Sequence, residues 1–330
     1  METKITENNN KIELHYIFND EEKSHSLDAF TRNSCEKEFL NFVKTIASEL
    51  GISLTVTTEP KKEGSLIDVY NFLVSQNGLS IAVWATFILE TFKYVFPIKS
   101  KTDSETVKIE NAKSLLELIN MAKEMEESGI PIPPDIQNKL EKLYSSRKMQ
   151  KQKSNFFKKL MNENKIKEIQ VSTPTAMEEK VLFSIPRTDF ESYYIDSDNL
   201  DSVIDNKAEI EIISPVLKNG NYSWRGIYLK ENLSHEYTMK DKDFKKKVIE
   251  ESLSFQNGTR LECELEICRK LDDNGDEYNS GYKINKVFNQ YIGDVVTEMP
   301  SGKKRRQKAE MEKNQPCLFD ELNNKTEDNK

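Results

Sequence analysis

The sequence predicts an α+β protein in which a small α/β unit and a long helical extension precede an antiparallel β barrel or sandwich and a disordered tail. Apolar residues recur at helical spacing through much of the first half of the chain and alternate at period two in short runs after about residue 165. Asn-Gly pairs at positions 219, 257 and 274 favour hairpin turns between those runs. We therefore expect an α/β unit over 1–78, a helical region over 79–165, a mainly β domain over 166–299 and a tail over 300–330.

The composition limits the classes of partner. The 330 residues carry a formal net charge of -8, so contact with nucleic acid or with an anionic membrane must use local basic patches. Four scattered cysteines and the absence of a signal-peptide pattern favour the reducing cytoplasm. Asp272, Asn274 and Asp276 have the spacing of a calcium loop, but the glycine at its sixth position and the acid at its twelfth are missing, so we predict neither a metal nor a cofactor.

The first elements follow from their periodicity. Alternating apolar residues from Ile12 to Phe18 predict a strand, and a helical stripe from Cys35 to Leu50 predicts an amphipathic helix that Gly51 ends. A second strand is expected over 52–56. We predict a further helix near 65–73, with a right-handed crossover if the strands are parallel.

The most hydrophobic segment spans residues 79–97. It is shorter than the roughly 20 apolar residues of a membrane helix and is interrupted by Glu90 and Lys93, so we predict a buried or interfacial helix. A membrane-proximal effector remains the alternative, anchored by the most apolar side chains of this segment. These are Ile81, Val83, Trp84, Phe87 and Ile88.

A basic stretch follows within a long polar helix that begins after Asp135. The basic side chains could contact the phosphate groups of a nucleic acid while the phenylalanines stack on its bases, as in proteins that bind single strands. Alternatively, the stretch could lie on an anionic membrane. The third interpretation is a solvated helix whose phenylalanines dock on the β domain. The candidate residues are Arg147, Lys148, Lys151, Lys153, Phe156, Phe157, Lys158 and Lys159.

The sequence of the region 166–299 predicts short strands, with one short helix over Phe244–Ile249. The alternation from Leu261 to Ile267 puts Cys263 and Cys268 on opposite faces of one strand, which makes them poor partners for a single metal ion.

His25, Asp28 and Arg32 form the densest group of chemically versatile side chains before the first helix. They could bind a small anion, or His25 could act as a base. The simpler interpretation is that a serine caps the helix while Asp28 complements its dipole and pairs with Arg32. We find no catalytic motif, and an enzyme is the less favoured class.

The tail combines a basic run with a short apolar motif. Lys303, Lys304, Arg305 and Arg306 would attract phosphates. Downstream, Gln315, Leu318 and Phe319 stand in the order Gln-x-x-Leu-Phe. This peptide resembles the motif with which many bacterial DNA-processing proteins dock on the replication sliding clamp, although Pro316-Cys317 departs from its commoner middle residues. The alternative is a peptide that packs on its own chain.

The resemblance implies a clamp partner, with the Gln side chain making polar contacts and the Leu-Phe pair filling an apolar cleft. Together with the basic stretches, it favours a non-enzymatic binding or regulatory protein of bacterial origin, linked to DNA replication, repair or defence against foreign DNA. DNA, RNA and an anionic membrane surface are the other expected partners.

Overall fold

The computed structural model describes residues 11–19, 26–59, 66–76, 79–80, 82–97, 99, 105–174, 179–251 and 253–314. The chain divides into two compact units. The first unit comprises residues 1–198 with 271–276, and the second comprises residues 199–270 with 277–330.

The first unit contains a six-stranded sheet. Five strands follow the order β2-β3-β1-β5-β6, and β4 also pairs with β3. The strand pairings described for this sheet are all antiparallel, so the expected right-handed crossover between parallel strands is not found among the described strands. The strands are β1 (Lys11–Phe18), β2 (Ser53–Thr58), β3 (Ile67–Gln76), β4 (Leu79–Ser80), β5 (Ile166–Pro174) and β6 (Glu179–Pro186).

The helix predicted near 65–73 is wrong, because this segment is β3. Val69, Tyr70 and Phe72 are strand formers, and β3 lies between β1 and β2 in the sheet. The pairing with β1 joins segments far apart in the chain, which local periodicity does not reveal, whereas β2 is the strand just before β3.

Five helices and a 3-10 turn belong to the same unit. They are α1 (Ala29–Leu50), α2 (Ala82–Val95), α3 (Glu105–Glu127), α4 (Ile136–Ser145), α5 (Arg147–Met161) and the 3-10 helix Arg187–Tyr193. The predicted first helix is confirmed as α1, and Gly51 ends it with a left-handed φ of 70°. The long polar helix is divided in two because Ser146 is extended and its side chain accepts from the Met149 backbone N–H.

The hydrophobic segment forms α2, which is 14 residues long. Trp84, Phe87 and Ile88 are fully buried in the core of the first unit, Val83 is partly buried against it, and Ile81 lies outside the described residues. No helix in the described ranges is both long and apolar enough to cross a membrane.

The second unit is a closed five-stranded barrel with one added strand and two helices. Its elements are β7 (Asn199–Ser214), β8 (Trp224–Tyr228), β9 (Leu233–Met239), α6 (Lys242–Glu250), β10 (Arg260–Leu271), β11 (Glu277–Ile292), β12 (Val295–Glu298) and α7 (Pro300–Asn314). The barrel runs β7-β8-β9-β11-β10 and closes from β10 to β7. The β9–β11 pairing is parallel, whereas antiparallel strands were expected throughout. The helix predicted over Phe244–Ile249 is confirmed as α6.

Two expected boundaries differ from the structure. β5 and β6 follow residue 165 but belong to the first sheet, because β5 pairs with β1. Residues 300–314 were expected to be disordered, and this is wrong: they form α7, whose first turn packs on β11 beside the buried Met299.

Candidate nucleic-acid interface

The connectivity of the barrel gives the first indication of its use. Numbered from β7 as strand 1, the barrel has the order 1-2-3-5-4-1, strands 3 and 5 are parallel, and α6 connects strands 3 and 4. This arrangement resembles the OB-fold, a small Greek-key barrel that commonly binds oligonucleotides or oligosaccharides. Fold alone does not define a ligand, so the surface must be considered residue by residue.

A groove of about 650 Å³ lies between α6, α7 and the outer face of the barrel. Its volume falls in the usual range for ligand sites. Six basic and four acidic side chains line it, a local excess of two positive charges on a chain with a net charge of -8. The basic residues are Lys240, Lys242, Lys286, Lys304, Arg305 and Lys308; the acidic residues are Asp241, Asp243, Glu264 and Glu312. We call this the α6–α7 groove.

Asp241 holds the three elements of the groove together. Its Oδ1 accepts from the Phe244 backbone N–H at 2.9 Å and so caps α6. Its Oδ2 accepts from the Val287 backbone N–H of β11 at 2.8 Å and from the Ser301 hydroxyl of α7 at 2.9 Å. Both oxygens of this buried carboxylate are thus engaged by neutral donors, which fix α6, β11 and α7 around one side chain.

Two lysines of the groove, Lys304 and Lys308, make only weak ion pairs. Lys304 Nζ lies 3.0 Å from Asp243, and both side chains are more than half exposed. Lys308 and Glu312 are similarly exposed at 3.8 Å. Surface ion pairs of this kind contribute only about 0–1 kcal/mol. A phosphate group can therefore replace either carboxylate at little cost.

Arg305 is positioned more firmly than the lysines. Its guanidinium lies 4.3 Å from the centre of the Phe288 ring and 3.2 Å from Glu262. Cation–π contact and an ion pair restrict the side chain at the groove wall. Burial raises the pKa of Glu262, but hydrogen bonds from Asn289 and Tyr291 and the nearby charge of Arg305 together outweigh burial and lower the pKa, which keeps this carboxylate charged and paired.

The barrel face that OB-folds commonly use is less suitable here. On adjacent strands β8 and β9, Arg225 lies opposite Glu236. On the neighbouring β7, Glu209 pairs with Arg260 at 3.3 Å. These pairs leave no local positive excess, so we place the candidate interface in the α6–α7 groove.

The basic stretch of α5 is largely engaged within the first unit. Phe156 and Phe157 are buried in an aromatic core. Lys151 contacts both oxygens of Asp198 at 2.8 Å, and Lys153 is 2% exposed. These four side chains are not accessible for the phosphate contacts and base stacking that the sequence suggested.

The other α5 candidates lie nearer the surface. Arg147 donates to the Ser197 carbonyl oxygen and Lys148 pairs with Asp276. Lys158 and Lys159 are exposed, and Lys158 lies over the ring of Tyr194. Lys158 and Lys159 are therefore two exposed lysines and do not form part of a continuous row of positive charges for phosphate groups.

Two of the three candidates around the start of α1 lie within the described residues. Asp28 caps α1 by accepting from the Thr31 backbone N–H at 2.9 Å. Arg32 pairs with Asp68 of β3, so the pairing of Arg32 with Asp28 that the sequence suggested is wrong. His25 lies outside the described residues.

The candidate residues of the tail lie in different surroundings. Lys304 and Arg305 line the α6–α7 groove, whereas Arg306 pairs with Glu298 at 3.3 Å. Lys303 is exposed. Gln315, Leu318 and Phe319 lie outside the described residues.

Sequence reasoning missed Lys240, Lys242 and Lys286 as groove residues. The alternation of lysine and aspartate over 240–243 was the signal in the sequence that could have indicated two of them.

Comparison with known proteins yields no relative. No protein-family model matches the chain. No curated protein matches it, and no solved structure does.

Proposed function

We propose that this protein is a non-enzymatic, cytoplasmic binding protein that holds nucleic acid in the α6–α7 groove and docks on a bacterial sliding clamp through Gln315, Leu318 and Phe319. The observation that carries the proposal is the position of α7. This helix forms one wall of the groove and is described as far as Asn314, the residue that precedes the clamp-like peptide in the sequence. DNA replication, repair or defence against foreign DNA are the processes in which such a protein would act.

The two contacts are close enough to cooperate. Arg305 and Asn314 are nine residues apart along one helix, about 14 Å at a rise of ~1.5 Å per residue. Leu318 follows four residues later, and an extended chain spans at most ~3.6 Å per residue. The groove and the docking peptide are therefore within about 30 Å along the chain, so engagement of one raises the effective concentration of the other.

Nucleic-acid binding is tested by fluorescence anisotropy with labelled single-stranded and duplex DNA of about 20 nucleotides, a length that spans one OB-type barrel. We expect replacement of both Lys304 and Lys308 by glutamine to weaken binding about tenfold. The dependence of log K on log salt should also become shallower, by about one unit for each lost phosphate contact.

The matched control is the double replacement of Lys158 and Lys159 by glutamine, which removes the same charge from α5. Equal loss of affinity in both double variants would show that net charge, not the groove, determines binding. Unchanged affinity in the groove variant would reject the groove as the interface.

Docking is tested separately by surface binding of the intact chain to a purified bacterial sliding clamp. We expect the double replacement of Leu318 and Phe319 by alanine to abolish measurable binding, because the apolar pair would no longer fill the cleft. Leu322→Ala, three residues further on, should bind like the wild type. Binding that survives the double replacement would reject the docking peptide.

A further inference from the structure

Arg305 differs from the lysines of the α6–α7 groove because it lies on an aromatic ring. Its guanidinium carbon is over the Phe288 ring, 4.3 Å from the ring centre. Phe288 belongs to β11, is buried and also lines the groove. The ring covers one face of the guanidinium, yet the Arg305 side chain is 41% exposed at the groove. The opposite face of the guanidinium is therefore open to a ligand.

The charge of Arg305 is already balanced within the protein. Its Nη1 lies 3.2 Å from Glu262 Oε1. Asn289 Nδ2 and the Tyr291 hydroxyl donate to the other oxygen of this carboxylate, at 2.7 Å and 3.0 Å. These two hydrogen bonds fix Glu262 as a partner for the guanidinium. Arg305 is therefore better suited to offering its flat face than to neutralising a phosphate group.

The neighbouring lysines of α7 are suited to phosphate groups. Lys304 and Lys308 are one turn apart, so their Cβ atoms are about 5–6 Å from each other. Their side chains are 72% and 79% exposed, and each has only an exposed carboxylate as its partner. Arg305 is three residues from Lys308 and so lies next to it on the helix surface. A phosphate group bound by these lysines therefore places its nucleotide beside the guanidinium.

We propose that the α6–α7 groove binds single-stranded nucleic acid in preference to a duplex, with one base stacked on the Arg305 guanidinium and the adjoining phosphate groups on Lys304 and Lys308. This inference rests on the nucleic-acid binding proposed above and names the form of nucleic acid that the groove takes. Unpaired bases stack on guanidinium planes as they do on aromatic rings. In a duplex the bases stack on one another and present only their edges, so none can lie on Arg305.

The test is fluorescence anisotropy of the intact protein with three labelled probes of equal length, about 20 nucleotides. The probes are an oligothymidylate, an abasic strand with the same phosphate groups, and a duplex. We expect the oligothymidylate to bind at least fivefold more tightly than either other probe, because only it can place a base on Arg305. Equal affinity for the oligothymidylate and the abasic strand would overturn the proposal, since phosphate contacts would then explain all the binding.

Arg305→Lys keeps the positive charge and removes the flat guanidinium. Its affinity for the oligothymidylate should fall at least fivefold, to that of the abasic strand. Its affinities for the abasic strand and the duplex, and the slope of log K against log salt, should stay as in the wild type. Equal weakening of all three probes would refute base stacking on Arg305.

Arg306→Lys is the matched control, because Arg306 is the next residue of α7 and pairs with Glu298. Arg306 is not among the described residues that line the groove, so its replacement should leave all three affinities unchanged.

The three probes also distinguish this inference from the function on which it rests. Saturable but equal binding of all three, lost when Lys304 and Lys308 are both replaced by glutamine, would reject the preference for single strands and leave the groove as the interface. Absence of saturable binding of any probe would reject both.

Discussion

Gly302 of α7 lies directly against the backbone carbonyl group of Phe288 on β11, and a side chain at position 302 would overlap with the Phe288 oxygen. The Met299 backbone N–H donates to the same carbonyl at 2.8 Å. The first turn of α7 is therefore fixed on the barrel by a contact that only glycine permits. This contact aims the basic side chains of α7 into the groove.

Gly302→Ala should displace α7 from the barrel. Alanine has the higher helix propensity by about 1 kcal/mol, so any loss must come from the clash with Phe288. We expect faster amide hydrogen exchange over 300–314 and a several-fold loss of DNA affinity. Gly281→Ala is the control, since its added methyl group meets no atom within 4 Å. Unchanged exchange in the Gly302 variant would contradict the tight packing.

Asp241→Asn should destabilise the second unit by about 2–3 kcal/mol, because an amide nitrogen would then face a backbone or hydroxyl donor. Three donors converge on this carboxylate from α6, β11 and α7. Urea denaturation followed by tryptophan fluorescence measures the effect. Asp243→Asn, at a neighbouring exposed position, should change the free energy of unfolding by less than about 0.5 kcal/mol. Similar losses in both variants would refute the architectural role of Asp241.

Lys153 should make the stability of the protein depend on pH. Burial lowers the pKa of its amine from 10.5 to about 7. Between these values the unfolded chain binds a proton that the folded chain lacks, so the free energy of unfolding rises with pH from about 7 to about 10.5. Below pH 7 the folded protein bears the full cost of a buried ammonium group.

Lys153→Met should therefore raise the free energy of unfolding by a few kcal/mol at pH 6 and by much less near pH 10. Denaturation curves across this range measure the difference. Lys158→Met removes an exposed amine from the same helix and should show no such pH dependence. A parallel pH profile for the Lys153 variant and the wild type would contradict burial of the amine.

Asp198→Ala should destabilise the first unit by about 1–3 kcal/mol, because it leaves the buried Lys151 ammonium group without its carboxylate. The Lys151 side chain is 8% exposed and that of Asp198 is 44% exposed, so solvent screening keeps the loss below that of a fully buried pair.

Adding Lys151→Met to the Asp198 variant should recover much of the lost stability, since the unpaired charge is then gone. A double-mutant cycle by chemical denaturation measures the coupling. Asp273→Ala, an exposed carboxylate whose described contact uses its backbone oxygen, is the neutral control. Additive effects of the two substitutions would show that the pair contributes nothing.

Local signals in the sequence predicted several elements correctly. The stripe from Cys35 to Leu50 and the stop at Gly51 specify α1, because helix periodicity and a left-handed cap are properties of neighbouring residues. The Asn274-Gly275 turn between β10 and β11 and the short helix α6 are likewise local, whereas Asn257-Gly258 joins α6 to β10 and does not form the predicted hairpin. The buried Phe156 and Phe157 show the limit of this reasoning, since the same residues fit a stacking surface or a core.

The sequence by itself determined an α+β protein with a helical first part, a β-rich later part and a basic run followed by a clamp-like peptide. Only the tertiary structure decided that residues 67–76 pair as a strand, that β10 closes a barrel on β7, and that cations from three separate segments line one groove. Strand pairing and groove formation join residues far apart in the chain. Their free energy comes from long-range contacts, which the periodicity of a single segment does not contain.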